Sequence, residues 1–167
     1  IVQSAQLADV NALRQRFAGR HLDIEVRFVL YERRDAGLTV LASPDGREAT
    51  RIVYRADARR LVIERARCSI DAGTRRQDQQ AVLQLAPGEV LDLRVLVDAS
   101  VIEVWANGRV ALASRVYPAL AASVLATTFS DGAADLSLQA WEMEAGFVLT
   151  CQAHPTTTRV VLDYDAV

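Results

Sequence analysis

The sequence predicts an all-β protein, a two-sheet antiparallel β-sandwich of about ten to twelve short strands. Three observations lead to this fold class. Apolar and polar residues alternate with a period of two over most of the chain, and turn-forming residues recur about every 8 to 12 residues. Strand patterns do not alternate with helical patterns, which argues against a parallel α/β fold.

Residues 1–20 depart from this pattern and favour a short helix or an interdomain linker. Apolar residues at helical spacing mark residues 5–17, namely Leu7, Val10, Leu13 and Phe17. Ser4 is in position to cap the start of such a helix, and Gly19 follows its end. The single short helix that we expect is therefore N-terminal.

Residues 21–145 carry the predicted sandwich. Its strands are expected at residues 22–30, 37–43, 48–55, 61–63, 81–85, 91–98, 101–105, 109–117, 124–129 and 135–141. We expect the first four in meander order. Residues 66–79 are polar and have no apolar period, so they should form a surface loop whose length indicates a function or an interface.

Residues 91–118 form the segment around which the sandwich is organised, three strands joined by two tight turns. The turn Asp98-Ala99-Ser100 reverses the chain because Asp and Ser side chains cap their own turns. Asn107-Gly108 is a strong hairpin signal because both residues tolerate positive φ. Pro118 ends the third strand because it has no N–H to donate.

Residues 146–167 have a less regular pattern than the predicted sandwich. Apolar triplets at residues 147–149 and 160–162 flank a loop rich in Pro and Thr. The segment is expected to form either two further strands or a C-terminal tail.

Length and charge limit the classes of function. A chain of 167 residues is long enough for one domain that buries about 70% of its unfolded surface. A net charge of -2 and a pI near 5.7 give no general attraction to nucleic acid or to an anionic membrane. No run of about 18 apolar residues predicts a membrane span. The chain starts at Ile1 with neither Met nor a signal peptide, so we expect it to be a piece of a longer protein.

The cysteines and histidines form no metal or redox motif. Cys68 and Cys151 are too far apart for a CxxC site, and they either form one disulfide bridge or are two small buried hydrophobic residues. His21 and His154 lack metal-ligand spacing, and we expect them at a strand edge and in a loop. We therefore expect no metal and no cofactor.

The run VDASVIEVWANGRVALASRVYP, residues 97–118, carries a distinctive set of residues. The set is Asp98, Ser100, Glu103, Ala106, Asn107, Gly108, Arg115, Val116, Tyr117 and Pro118. On these residues the chain resembles the C-terminal β-sandwich of glycoside hydrolase family 32, the invertases, inulinases, levanases and related fructosyltransferases. Trp105 stands where that family commonly has Phe. The stretch LTVLASPDG at residues 38–46 extends the resemblance, which covers roughly residues 22–141.

The resemblance implies a concanavalin- or lectin-like sandwich that follows a catalytic five-bladed propeller. Family members carry an aspartate nucleophile in an Asn-Asp-Pro-Asn-Gly motif, an Arg-Asp-Pro motif and a Glu-Cys acid/base, none of which occurs in this sequence. Retaining hydrolysis needs two carboxyl groups about 5 to 5.5 Å apart, and no pair of residues in this chain can be assigned those roles. We therefore expect no catalytic residue in this chain.

The resemblance also implies a function for the longer protein. Its parent would hydrolyse sucrose or fructans, or transfer fructosyl groups, outside the cell. The module would stabilise the catalytic propeller and take part in interdomain or subunit contacts, including a homo-oligomer contact. The alternative is a fructan-binding carbohydrate-binding module, for which sucrose or fructan is a direct ligand.

Four side chains are candidates for contact with sugar, namely Glu103, Trp105, Arg75 and Arg76. Trp105 can stack on a sugar ring, or pack inside the sandwich or against the catalytic domain. Glu103 can bind sugar hydroxyls or pair across strands with Arg115 or Arg109. Arg75 and Arg76 suit sugar hydroxyls or an acidic partner surface, unless they are ordinary solvated loop charges.

Overall fold

The computed structural model describes residues 16–143 and the backbone of residues 5–7. The regular structure in these ranges consists of β-strands in two six-stranded antiparallel sheets. The strands are β1 (Ala5–Leu7), β2 (Arg16–Ala18), β3 (His21–Leu30), β4 (Ala36–Ala42), β5 (Ala49–Arg55), β6 (Arg60–Arg67), β7 (Gln79–Val82), β8 (Leu91–Asp98), β9 (Val101–Ala106), β10 (Val110–Arg115), β11 (Leu125–Ser130) and β12 (Ala134–Glu142). The predicted two-sheet sandwich is confirmed.

The strand order of the two sheets corrects one prediction. The first sheet has the order β1-β12-β3-β8-β9-β10, and the second has β2-β11-β4-β5-β6-β7. The predicted four-strand meander is wrong in its first member, since β3 lies in the first sheet and β4 in the second. The chain changes sheets after β3 because two facing sheets bury one apolar face of each strand in a shared core.

The core lies between the inner faces of the two sheets, where buried apolar residues recur at every second position. Strand β3 contributes Leu22, Ile24, Val26 and Phe28, and β8 contributes Leu91, Leu93, Val95 and Val97. The second sheet contributes Leu38, Ile52, Leu61 and Ile63. The residues between them along β3 and β8 point outward, as the period of two predicts.

The N-terminal helix that the sequence favours is wrong at both ends of residues 5–17. Strand β1 pairs with β12, with Ala5 opposite Leu138 and Leu7 opposite Leu136. Strand β2 pairs with β11, with Phe17 opposite Ala126. Each segment satisfies the free N–H and C=O groups of a sheet edge, and that pairing overrides a helical spacing of only four apolar residues. Residues 8–15, and the strands or tail predicted at 146–167, lie outside the described residues.

Two glycines are required by the backbone of the sheets. A Cβ at Gly37 would meet the Ile52 carbonyl oxygen at 2.0 Å, so only glycine fits where β4 approaches β5. Gly108 has φ +62° and Asn107 has φ 51°, the left-handed pair that a two-residue hairpin turn needs. The predicted Asn-Gly hairpin between β9 and β10 is therefore present.

A single buried carboxylate joins three separate stretches of the chain. Glu48 is 0% exposed and directly precedes β5. Its Oε1 accepts hydrogen bonds from the backbone N–H groups of Ile70 and Ala119, each at 2.8 Å. Its Oε2 accepts from the backbone N–H of Leu120 at 3.0 Å and from the Ser123 hydroxyl at 2.5 Å. Glu48 thus ties the loop after β6 and the β10–β11 connection to the second sheet.

The four donors determine the protonation of this carboxyl group. Burial by itself raises the pKa of Glu48. The hydrogen bonds from the Ser123 hydroxyl and the three backbone N–H groups together lower the pKa by more than burial raises it, so the pKa lies below its usual value. The carboxylate is therefore charged at neutral pH, and its charge is satisfied entirely by hydrogen bonds.

Replacing Glu48 by Gln should lower the free energy of unfolding by about 2 to 4 kcal/mol. The glutamine amide nitrogen would point a donor at two existing donors, which leaves buried N–H groups without acceptors. Chemical denaturation at pH 7 measures the loss. Glu142→Gln, at an exposed position on β12, is the matched control and should change the free energy of unfolding by less than about 0.5 kcal/mol.

The difference in stability between wild type and Glu48→Gln should depend on pH. Because the folded pKa of Glu48 is below the unfolded value of about 4.5, the stability that its charge contributes is present above pH 4.5 and is lost as pH falls through the folded pKa. The gap between wild type and Glu48→Gln should narrow as pH falls below 4.5. A gap that stays constant down to pH 2 would contradict a charged, hydrogen-bonded Glu48.

Candidate functional site

The outer face of the first sheet holds two of the predicted sugar-contact residues. Trp105 lies opposite Arg94 of β8 and Ala111 of β10, and its side chain is half-buried. Glu103 lies two residues earlier on the same face, opposite Leu96 and Ala113, and is only 4% exposed. The predicted shared face for Glu103 and Trp105 is confirmed, but the burial of Glu103 leaves little of its carboxylate for a ligand.

Ion pairs cover much of this outer face. Arg94 donates two hydrogen bonds to the Asp23 carboxylate, from Nη2 at 2.8 Å and Nε at 3.1 Å. The Arg27 guanidinium pairs with Asp92 at 2.8 Å in the neighbouring row. Cross-strand pairs of this kind are expected on a solvated sheet face. Trp105 is therefore bordered by Arg94, a cation already held by carboxylates.

The residues of the family-like motif act mainly as structural links. The Asp98 carboxylate accepts a hydrogen bond from His21 Nδ1 across β8 and β3 at 2.7 Å, and His21 is the first residue of β3. The Asn107 side-chain amide donates to the Val90 carbonyl at 2.7 Å and to Glu89 at 3.1 Å. Its side-chain oxygen accepts from the backbone N–H of Asp92 at 3.1 Å. Asn107 therefore forms the hairpin turn and also fastens it to the start of β8.

Arg109, one of the two arginines predicted to pair with Glu103, contacts the turn before β8. Arg109 pairs with Glu89 at 2.6 Å, so its guanidinium is held at the turn before β8. Glu89 accepts from the Ala86 backbone N–H, and this bond, the Arg109 charge and the Asn107 amide lower its pKa against a smaller effect of burial. This cluster fastens the β9–β10 hairpin to the turn before β8.

The loop after β6, residues 68–78, is held by two arginines. Arg65 is 8% exposed and donates to the Arg75 carbonyl at 2.6 Å and the Gln77 carbonyl at 3.1 Å. Arg76 donates to the carbonyls of Ser69 and Asp71 at 3.1 and 3.2 Å. The predicted surface loop is present, but Arg76 is occupied with holding it together. These two hydrogen bonds account for the position of Arg76 without a sugar ligand.

Arg75 reaches a different environment from its neighbour. With Arg65, Arg115 and Tyr117 it lines a cavity of about 560 Å³, whose remaining wall is the loop from Asp71 to Thr74. We call this the arginine cavity. The fold thus brings one of the predicted sugar-contact residues, Arg75, together with two residues of the 97–118 motif. Trp105 and Glu103 do not line it.

A second cavity was not predicted from the sequence. It has a volume of about 630 Å³ and lies at one end of the sandwich, where the chain after β3, the end of β5 and the turn before β8 meet. Tyr31, Tyr54, Arg33 and Gln84 are among its walls, and we call it the tyrosine cavity. Tyr31 is 63% exposed, and its hydroxyl donates to Asp135 at 2.5 Å, a bond that raises the pKa of Tyr31. Tyrosines at the ends of two strands were the only sequence signal for it.

The remaining predictions concern cysteine, metal and membrane. Cys68 is buried and forms no disulfide with another described residue, whereas Cys151 and His154 lie outside the described residues, so a bridge between the two cysteines stays a prediction. Over the described residues no three His, Cys, Asp or Glu side chains gather as metal ligands would. The part of the chain that the structure covers has no helix long and apolar enough to cross a membrane.

Comparison with known proteins gives one family. The family model described as "Glycosyl hydrolases family 32 C terminal" matches residues 2–142. Acid beta-fructofuranosidase 2, vacuolar, from a Rosa hybrid cultivar is 34% identical over 91 residues, which is 51% of this chain and 14% of that protein. A beta-fructofuranosidase, insoluble isoenzyme, from Arabidopsis thaliana is 31% identical over 124 residues, 65% of this chain and 22% of that protein. The chain thus spans only a small part of these relatives.

Solved structures share the fold at low sequence identity. The exo-inulinase from Aspergillus awamori matches with a TM-score of 0.72 and 17% identity, over 86% of this chain and 29% of that one. A beta-fructofuranosidase from Aspergillus kawachii, complexed with glycerol, matches with a TM-score of 0.66 and 22% identity, over 83% of this chain and 26% of that one. At these identities the likeness shows the fold alone.

Substitution of Arg76 and substitution of Arg75 should affect the loop after β6 differently. Arg76→Ala removes two hydrogen bonds within the loop, so amide hydrogen exchange at Gly73 and Thr74 should become about fivefold faster, equivalent to about 1 kcal/mol. Arg75→Ala, the matched control, removes a side chain that makes no hydrogen bond within the described residues, and exchange should be unchanged. Equal acceleration in both variants would show that Arg76 has no special role in the loop.

Proposed function

The chain belongs to the glycosyl hydrolase family 32 C-terminal family, and from that premise we propose that it is the non-catalytic β-sandwich module of a longer β-fructofuranosidase-like enzyme. The catalytic work would be done by another domain, acting on sucrose or on fructans with retention at the anomeric carbon. This chain would stabilise that domain through a shared interface.

The observation that carries the proposal is the extent of the match. The family model covers residues 2–142, almost the whole described chain, whereas the chain covers 14% and 22% of the Rosa and Arabidopsis relatives. The motif residues that resemble the family form turns and strand links, as Asn107 does, rather than a constellation of reacting groups. A module whose distinctive residues are structural supports a stabilising role.

The structure supplies a rigid surface that suits such an interface. Ile70 and Tyr117 are large apolar side chains left 43% and 51% exposed. The backbone beside each is held by the same buried carboxylate, since Glu48 accepts from the N–H groups of Ile70 and Ala119. Exposed aliphatic and aromatic residues on a fixed backbone are favourable interface anchors because little entropy is lost on docking. We propose this surface as part of the contact with the catalytic domain.

The names of the relatives also bear on location. The Rosa relative is described as vacuolar, a compartment that proteins reach through the secretory route. We propose a location outside the cytosol for the protein to which this chain belongs. The narrower prediction of an extracellular protein stays a proposal within that range.

Direct sugar binding is the second candidate, and one observation favours it. The tyrosine cavity has the size of small-molecule sites and combines aromatic surface with hydrogen-bonding groups from Arg33, Gln84 and Glu89. Sugars bind to such surfaces through stacking on rings and hydrogen bonds to hydroxyls. The predicted sugar contacts at Glu103 and Trp105 have less support, because Glu103 is buried.

For the stabilising role, the purified chain should release no fructose from sucrose, inulin or levan in an enzyme-coupled assay. Deleting the matched segment from the Arabidopsis relative should abolish its activity and shorten its thermal half-life. A chimera that carries this chain in place of the segment should retain both. The deletion exposes the surface of the catalytic domain that contacts this module, whereas the chimera keeps that surface covered. Fructose release by the chain alone, or a soluble chimera as unstable as the deletion, would sink the proposal.

For the sugar-binding candidate, isothermal titration with levan, inulin and fructose is decisive. Tyr31→Ala should weaken binding about tenfold by removing exposed ring surface from the cavity, whereas Trp105→Ala should leave it unchanged. No heat at millimolar sugar would eliminate direct binding. Loss of binding in Trp105→Ala but not in Tyr31→Ala would move the site to the outer face of the first sheet.

A further inference from the structure

The arginine cavity has features that the stabilising role does not use. One wall comes from β6 of the second sheet through Arg65 and from the loop that carries Arg75. The opposite wall comes from the end of β10 of the first sheet, with Arg115, and from Tyr117 just beyond it. Three guanidinium groups, two of them 10 residues apart and the third 40 residues further along the chain, thus border one space of about 560 Å³.

The described protein offsets only part of the positive charge in the cavity. Many arginines of the two sheets pair with carboxylates, as Arg27 does with Asp92 and Arg55 with Asp35. Arg65, Arg75 and Arg115 form no ion pair with any residue of the described ranges. An excess of guanidinium groups at one place therefore remains.

Arg65 makes this excess costly. It is 92% buried, as its exposure of 8% shows, and its two terminal nitrogens donate only to neutral backbone carbonyls. Its Nε is buried and has no hydrogen-bond partner. The nearby carboxylates are engaged with backbone N–H groups, Asp71 with Gly73 and Asp78 with Arg65 itself. A buried guanidinium that forms no ion pair is unfavourable, and an anion in the cavity would stabilise it.

We propose that the arginine cavity binds a small ligand that carries a phosphate group, on a body about the size of a sugar. Guanidinium groups match phosphate oxygens in geometry as well as charge, since a guanidinium with free N–H groups, such as that of Arg75, can donate two parallel hydrogen bonds. Three guanidinium groups and one carboxylate, that of Asp71, line the cavity, so the lining favours an anion. The volume exceeds what a bare phosphate needs and lies in the range of small-molecule sites. Tyr117, 51% exposed, offers a ring and a hydroxyl to the rest of the ligand.

The walls of the cavity are held in place before any ligand arrives. The backbone at Arg75 is fixed by the hydrogen bond from Arg65 to its carbonyl at 2.6 Å. The backbone N–H of Val116, between Arg115 and Tyr117, donates to the Ser100 carbonyl at 2.8 Å. Preorganised donors lose little entropy when a ligand binds, which favours affinity. This inference rests on the arginines of this chain and not on the stabilising role, and the site shares only Tyr117 with the proposed interface.

The test is isothermal titration of the purified chain at low salt with inorganic phosphate, fructose 6-phosphate and neutral fructose. Inorganic phosphate and fructose 6-phosphate should bind saturably, and the sugar phosphate should bind more tightly. Neutral fructose should show no binding that depends on the arginines of this cavity. Arg75→Gln and Arg115→Gln should each weaken fructose 6-phosphate binding about tenfold, since each removes one charge-assisted contact. Both positions are exposed, so the variants should fold.

Arg27→Gln is the matched control, because Arg27 is an exposed arginine that is already paired with Asp92. It should bind fructose 6-phosphate as the wild type does. Absence of saturable binding by either phosphate compound would overturn the proposal. Equal weakening in all three variants would also overturn it, because that result would reflect overall charge and not this cavity.

Discussion

The hydrogen bonds to the buried Glu48 carboxylate are the interaction on which the rest of the structure depends. A charge in the interior is expensive unless its oxygens are fully satisfied, and here three backbone N–H groups and one hydroxyl satisfy it. Those donors come from the loop after β6 and from the connection that carries the chain from the first sheet to the second. One residue thereby fixes the mutual position of the two loops that approach the arginine cavity, and the proposed interface rests on the same fixed backbone.

Much of the sandwich could be predicted because its information is local. The period of two along β3 and β8 and the Asn107-Gly108 turn each express a preference within a few residues, and the structure bears them out. The order of the strands was less accessible. Whether β3 pairs with β4 or faces it across the core depends on contacts far along the chain, and short strands such as β1 and β2 form only because a sheet edge is available to them.

The candidate sites show the same division. Arg75 and Arg115 were each singled out from sequence, but nothing local indicates that a loop of the second sheet and a strand end of the first share a cavity. Glu103 and Trp105 were placed on one face correctly, yet burial of Glu103 follows from neighbours on two other strands. The tyrosine cavity went unpredicted because its walls come from three connections, and connections carry no periodic pattern.

The two short N-terminal strands limit where the chain can be truncated. Strand β1 covers the edge of the first sheet beside β12, and β2 covers the edge of the second beside β11. A shortened chain that begins at residue 21, where composition alone would place the domain border, would uncover both edges at once. Bare edges accept strands from other molecules, so such a fragment would be prone to aggregate even though its core is intact. By covering both edges, β1 and β2 therefore keep the two sheets from pairing with strands of other molecules.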